Sequence, residues 1–136
     1  MPSYAPPLRD VRFVLHDLLE IGGPDRELTD AILDEAGRVC AEVVAPLNQP
    51  GDRAGCTRHP DGSVTTPPGF REAYARYREA GWGTLALPEE HGGQGMPHVL
   101  ATVIEEFLNS ACHAFNMYAG PVSYTHLRPT RQAEIA

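Results

Sequence analysis

The stretch Pro97-His98-Val99-Leu100-Ala101-Thr102-Val103-Ile104-Glu105-Glu106-Phe107-Leu108-Asn109-Ser110 decides the fold class. Val99, Leu100, Val103, Ile104, Phe107 and Leu108 recur at spacings of three and four. That is the period of a helix with one face in a core. Such a stripe needs a partner surface, and upstream segments supply it. Residues 27 to 47 carry Leu28, Ile32, Ala36, Val39, Val43 and Leu47, widened by Cys40 and Val44. Asp25, Glu27 and Asp30 sit at the start of that helix, where acids favour the positive end of the dipole. Pro50-Gly51 closes the segment. Residues 8 to 20 carry a further stripe, Val11, Val14, Leu15, Leu18 and Leu19, with Phe13 and His16 partly buried beside it. Gly22-Gly23-Pro24 stops that helix.

Between these stripes, Asp61-Gly62 reads as a tight turn or a short hairpin near residues 57–66. Thr65 or Thr66 followed by Pro67-Pro68 starts a helix at about 68 that runs to 80, because Pro is tolerated in a first turn. It sets Phe70, Tyr74, Tyr77 and Ala80 on one side, and Gly81 ends it. Trp82 belongs in the core, since burying so large a ring is worth a few kcal/mol. Residues 88–95 form a loop. Ala111 to Gly120 makes a short fifth helix or continues the fourth after a bend. The expected fold is all-α, a helical bundle of four or five helices over residues 1–120, followed by an irregular tail at 121–136.

Composition narrows the function classes. With 11 Lys+Arg against 18 Asp+Glu the net charge is -7, which repels phosphate backbones and disfavours nucleic-acid or anionic-membrane binding. No apolar run has the length of a membrane-crossing helix, and the first residues lack the basic-then-apolar layout of a signal peptide. Cys40, Cys56 and Cys112 are odd in number and far apart, which fits a reduced, cytoplasmic chain.

Local motifs offer little chemistry. Gly92-Gly93-Gln94-Gly95 lacks the spacing of a dinucleotide turn and the Lys of a phosphate loop, so it reads as a structural turn. Glu105-Glu106 lacks the Glu-x-x-His partner of a di-metal site; one of the two is expected in solvent and the other beside an Arg. The six histidines, at 16, 59, 91, 98, 113 and 126, form no ligand cluster, so no metal site is expected. Adjacent Cys112-His113 is not a nucleophile–base pair by adjacency alone.

Taken together, Tyr4-Ala5-Pro6, Arg12-Phe13-Val14-Leu15-His16, Ala45-Pro46-Leu47-Asn48, Gly51-Asp52 and Gly55-Cys56 resemble a known pattern. It continues with Thr65-Thr66-Pro67-Pro68-Gly69-Phe70-Arg71-Glu72-Ala73-Tyr74, Ala80-Gly81-Trp82, Pro88-Glu89 with Gly92-Gly93-Gln94-Gly95, Pro97-His98 and Phe115-Asn116-Met117-Tyr118. In this order the chain, from about Tyr4 to Gly120, resembles the N-terminal helical domain of acyl-CoA dehydrogenases. It looks closest to the long-form branch with an extra leading helix, which includes 3-methylmercaptopropionyl-CoA dehydrogenases.

The resemblance implies a flavoenzyme of three parts: this helical domain, a middle β-barrel and a C-terminal helical bundle. A Glu base removes the α-hydrogen of an acyl-CoA, the β-hydride passes to FAD, and electrons leave to electron-transfer flavoprotein. It implies a homo-oligomeric parent. The resemblance also places Phe115, Asn116 and Ala119 on the wall of the acyl pocket, where a bulky Phe115 favours a short acyl group. The barrel and the bundle with the Glu base have no counterpart in this sequence, so no catalytic or flavin-binding residue is assigned. The chain alone is expected to be inactive and to hold no FAD. Ala119-Gly120-Pro121-Val122-Ser123-Tyr124 departs from the family pattern, which suggests a truncated or altered frame after about Gly120. The competing reading is a free-standing helical interaction module without enzymatic activity.

Residues 122–136 offer only Val122, Leu127 and Ile135 as aliphatic anchors, without helical spacing. Little burial there offsets the entropy of ordering. Limited proteolysis is expected to cut in this stretch first, and strong amide protection across Thr125 to Gln132 would contradict that.

Overall fold

The structure, a computed structural model, describes residues 4–21 and 25–120. The expected stop at Gly22-Gly23-Pro24 and the expected loose tail at 122–136 lie outside the described residues. The described residues are all-α apart from one small hairpin, as expected. Helix α1 (Leu8–Arg12) runs on as a π-helix over Phe13–Leu18. Helix α2 (Arg26–Val39) continues through a π-helical segment, Cys40–Val44, and a 3-10 turn, Ala45–Leu47, into α3 (Asn48–Ala54). Strands β1 (Thr57–Arg58) and β2 (Val64–Thr65) follow, then α4 (Phe70–Glu79). Two 3-10 turns, Trp82–Thr84 and Glu89–His91, lead to α5 (His98–Ala119).

Helix α5 is the spine, packed against α2, the π-helical segment and α3. Leu100, Ile104, Phe107, Leu108, Ala111, Cys112 and Phe115 line its buried side. Across from them lie Leu33, Ala36, Cys40 and Val44. Burying Phe107 fully is worth about 2–3 kcal/mol. Sequence periodicity left the 111–120 segment as a new helix or a bent continuation; it is the continuation. The bend is at Cys112, whose φ of -159° and ψ of 95° are extended. Its thiol sulfur accepts the backbone N–H groups of Ala114 and Phe115, capping the second half of the helix as a Ser or Asp would.

Several details differ from the periodicity reading. The first stripe does not turn inward as a whole: Leu15 is buried, but Val14, Leu18 and Leu19 are exposed. The π-helical register, with Leu19 N–H bonded to the Val14 carbonyl at 2.9 Å, breaks the 3.6-residue period on which that stripe depended. Phe13 is 56% exposed rather than partly buried, whereas the His16 side chain is tucked against Asp30. The described helix already ends at Leu18, with Glu20 at φ 53°.

On α2 the buried line is Thr29, Leu33, Ala36 and Gly37, one step round from Leu28 and Ile32. Pro6 lies where a Gly37 Cβ would come within 2.9 Å of it, so the N-terminal arm crosses α2 at the glycine. Asp25 caps α2, accepting the Leu28 N–H at 3.0 Å. Pro50-Gly51 does not close the segment. Pro50 falls in the first turn of α3, where its missing N–H costs nothing. Gly51 is buried against the Phe70 ring, 2.7 Å from where a Cβ would sit. On α4, Phe70 and Ala73 are buried, while Tyr74 (38%) and Ala80 are exposed. Trp82 is half-buried against the core. Glu105 and Glu106 are both exposed, and neither forms an ion pair among the described residues.

The hairpin pairs Thr57 with Thr65 and Arg58 with Val64. Asp61 and Gly62 (φ 85°) form its turn, the Asp61 carboxylate accepting the Ser63 N–H at 2.9 Å and hydroxyl at 2.7 Å.

The glycine loop is a closed structural turn. Gly92, Gly93, Gln94 and Gly95 donate their N–H groups to the carbonyls of Glu89, Pro88, Thr84 and Leu87. A Cβ on Gly93 would collide with the Leu87 carbonyl, whereas Gly92 (φ 77°) has open space around it. Gly92→Ala is expected to cost about 1 kcal/mol from the left-handed backbone alone. Gly93→Ala is expected to cost at least about 2 kcal/mol, because backbone must move. Urea unfolding of the two variants checks this, and equal losses would contradict the packing described.

Candidate functional site

An open groove of about 530 Å³ lies between the hairpin, the 66–72 segment and the C-terminal half of α5. Phe70, Tyr74, Phe115 and Tyr118 give it apolar walls, and the 65–69 segment forms its rim. The bend at Cys112 brings Phe115 here. Its ring is fully buried, edge-on to Phe70 at 6.1 Å and 60° and to Tyr77 at 6.1 Å and 81°. Tyr118, one turn further, meets Phe70 edge-on at 5.6 Å. Edge-to-face pairs of this kind add to the area term.

Of the three residues placed on an acyl wall by resemblance, the structure brings only Phe115 to this groove. Asn116 and Ala119 are half-buried and are not among its lining; the Asn116 carbonyl accepts the Gly120 N–H at 2.8 Å. Tyr118 was missed as a lining residue, although its position three after Phe115 put it on the same helical side.

Thr65, Thr66, Arg71 and Glu72 add polar and charged groups to its lining. The Tyr118 hydroxyl and the Cys56 thiol are 2.7 Å apart, and this hydrogen bond, with lesser burial, pushes the phenol up to about 12. Tyr77 is pushed up to about 12, chiefly by burial. Both therefore stay neutral at physiological pH and act as hydrogen-bonding or apolar surface, not as bases. Burial pushes the Cys40 thiol up to about 12 and raises Cys112, so neither is a nucleophile. His113 turns outward to Asn109 at 2.7 Å, away from Cys112.

No group of three or more His, Cys, Asp or Glu among the described residues could hold a metal ion. The glycine loop at 92–95 does not itself offer a pyrophosphate cradle. A pyrophosphate needs free donors, and the N–H groups of the glycine loop are spent on the loop's own carbonyls. No helix of the described residues is long and apolar enough to cross a membrane.

Residues 26–127 match the family model described as acyl-CoA dehydrogenase, N-terminal domain. A 3-methylmercaptopropionyl-CoA dehydrogenase from Ruegeria pomeroyi is 36% identical over 124 residues, covering 85% of this chain and 21% of the relative. A broad-specificity linear acyl-CoA dehydrogenase from Mycobacterium tuberculosis is 30% identical over 131 residues, covering 87% of this chain and 21% of the relative. The chain thus spans about a fifth of the length of these relatives. The match covers most of the sequence and every helix from α2 to α5, and by it the chain belongs to the acyl-CoA dehydrogenase family, as its N-terminal helical domain.

Proposed function

We infer that this chain serves as the N-terminal helical domain of an FAD-dependent acyl-CoA dehydrogenase acting in fatty acid metabolism. The observation that carries this is the family match over residues 26–127. FAD, when bound in such an enzyme, would supply the hydride acceptor for an acyl-CoA, and no residue of this chain is assigned to hold it. Electrons then leave to electron-transfer flavoprotein, and the working enzyme is a cytoplasmic homo-oligomer. The charge of -7 and the three unpaired cysteines are compatible with that compartment and with a small-molecule substrate.

The part of the reaction that falls to this chain is shape, not proton transfer. Its groove has aromatic walls and the neutral Tyr118 phenol, its lining carboxylate Glu72 is exposed next to Arg71, and the paired carboxylates Glu105 and Glu106 lie in solvent. Aromatic walls exclude water and limit how much acyl chain a pocket admits. Phe115, with Asn116 and Ala119 on the following turn, is the proposed wall at the far end of the acyl site. The Phe115 contact with the groove supports this reading for Phe115.

In an enzyme carrying this domain with the barrel and bundle, Phe115→Leu is expected to shift preference toward longer acyl chains. Leucine is chosen because Phe115→Ala, at a fully buried position, also costs about 3–5 kcal/mol of stability. An unchanged chain-length profile at unchanged thermal stability would count against the wall. The purified chain alone is expected to be colourless and inactive with acyl-CoA and an electron-accepting dye. A flavin absorbance that survives desalting would overturn the assignment of the flavin site to other segments.

A further inference from the structure

A hydrogen bond joins the hairpin side of the groove to its α5 side. Cys56 lies between α3 and β1, and Tyr118 lies in the last turn of α5. Their Sγ and Oη atoms are 2.7 Å apart, across 62 residues of sequence. Gly55 turns the chain out of α3 at φ 61°, with its N–H bonded to the Gly51 carbonyl at 2.9 Å. Cys56 thus follows a fixed turn, and Val64 and Thr65 of the hairpin it leads into line the groove. Tyr118 is held at two points: Phe70 meets its ring edge-on at 5.6 Å, and Cys56 holds its hydroxyl. The bond to Cys56 pushes the phenol up to about 12, the direction expected when the sulfur accepts and the phenol donates. Without that bond, a tyrosine 37% exposed near a helix end would exchange rotamers freely. With it, the ring stands as a fixed side wall one turn beyond Phe115.

We propose that Cys56 is a positioning residue that latches Tyr118 across the groove and so sets its breadth, favouring linear over branched acyl groups. This rests on the reading of the groove as part of the acyl site, and it divides the task with Phe115, which limits length. A straight chain lies beside the latched ring. A branch near the far end of the acyl group needs the ring to swing aside, which breaks the hydrogen bond. The loss of one hydrogen bond of ordinary net strength corresponds to about a fivefold factor. Both side chains are exposed, so the bond adds little to the core. The thiol only accepts a hydrogen bond in this role and is not consumed.

Ultraviolet titration of the full chain tests the link. Tyr118→Phe identifies its phenol among the five tyrosines of the sequence. In Cys56→Ala that phenol is expected to fall from about 12 toward the ordinary value of about 10. An unmoved titration overturns the latch. Breadth is read in the enzyme carrying this domain with the barrel and bundle, as the ratio of kcat/KM for isocaproyl-CoA to that for hexanoyl-CoA. Cys56→Ala is expected to raise this ratio about fivefold, mainly through KM. Tyr118→Phe is expected to match it, and the double variant to add nothing further, because the two residues act through one bond. Both substrates meet the same protein, so a general loss of stability leaves the ratio where it was. A double variant whose effects sum overturns the latch. A ratio that neither single variant moves overturns the role in selectivity and leaves the enzymatic reading intact. No turnover of either substrate by the wild-type enzyme overturns that reading, and the role in selectivity with it.

Discussion

The backbone of Cys112 leaves the helical region for one residue, and much of the core follows from that. A helix of the length of α5 would carry its apolar stripe steadily round its axis and lose contact with the elements beside it. The extended residue resets the phase. Leu100, Ile104, Phe107 and Leu108 face α2 before the bend, and Phe115 faces α4 after it. Such a break exposes orphan N–H groups, and the Cys112 sulfur takes two of them in a buried setting where water cannot. The thiol is thus a capping group, which accounts for a cysteine in the core without any reactivity.

The aromatic cluster depends on this phase reset and on one missing side chain. Phe70 can lie between Phe115 and Tyr118 because Gly51 leaves its ring room. Helix α3 and helix α4 are thereby held at a spacing set by a ring against a bare backbone. The groove on the other side of Phe70 inherits its walls from the same packing.

Periodicity made the architecture legible wherever helices obeyed the 3.6-residue period. The central stripe of α5, the hairpin at Asp61-Gly62 and the stop at Gly81 follow from local chemistry that tertiary contacts do not override. Periodicity fails where the period itself changes or where a proline opens a helix instead of ending one. The π-helical stretch at Phe13–Leu18 sent Val14 and Leu18 outward, and no residue type announces such a register. Pro50 opens α3, and a proline that ends one helix and one that begins the next look alike in sequence. On α2 the buried line begins at Thr29 and not Leu28, on the side where the arm at Pro6 settles over Gly37, a contact between distant residues. For the groove, Phe115 was reached through family likeness and not through any property of the residue alone. The same likeness points to Asn116 and Ala119, which are half-buried and do not line this groove.

The hairpin borders the groove through Val64 and Thr65 but adds nothing to the buried core. Its four strand residues are exposed, and its loop satisfies its polar groups internally through Asp61, Ser63 and a His59–Thr65 contact at 2.7 Å. No buried side chain depends on the length of the 59–63 loop. Chain-closure entropy rises only slowly with added residues, so this is where the fold is permissive to insertion. A tag or reporter spliced between Asp61 and Gly62 would ride on the molecule without entering its core, which makes the hairpin tip a natural handle for labelling.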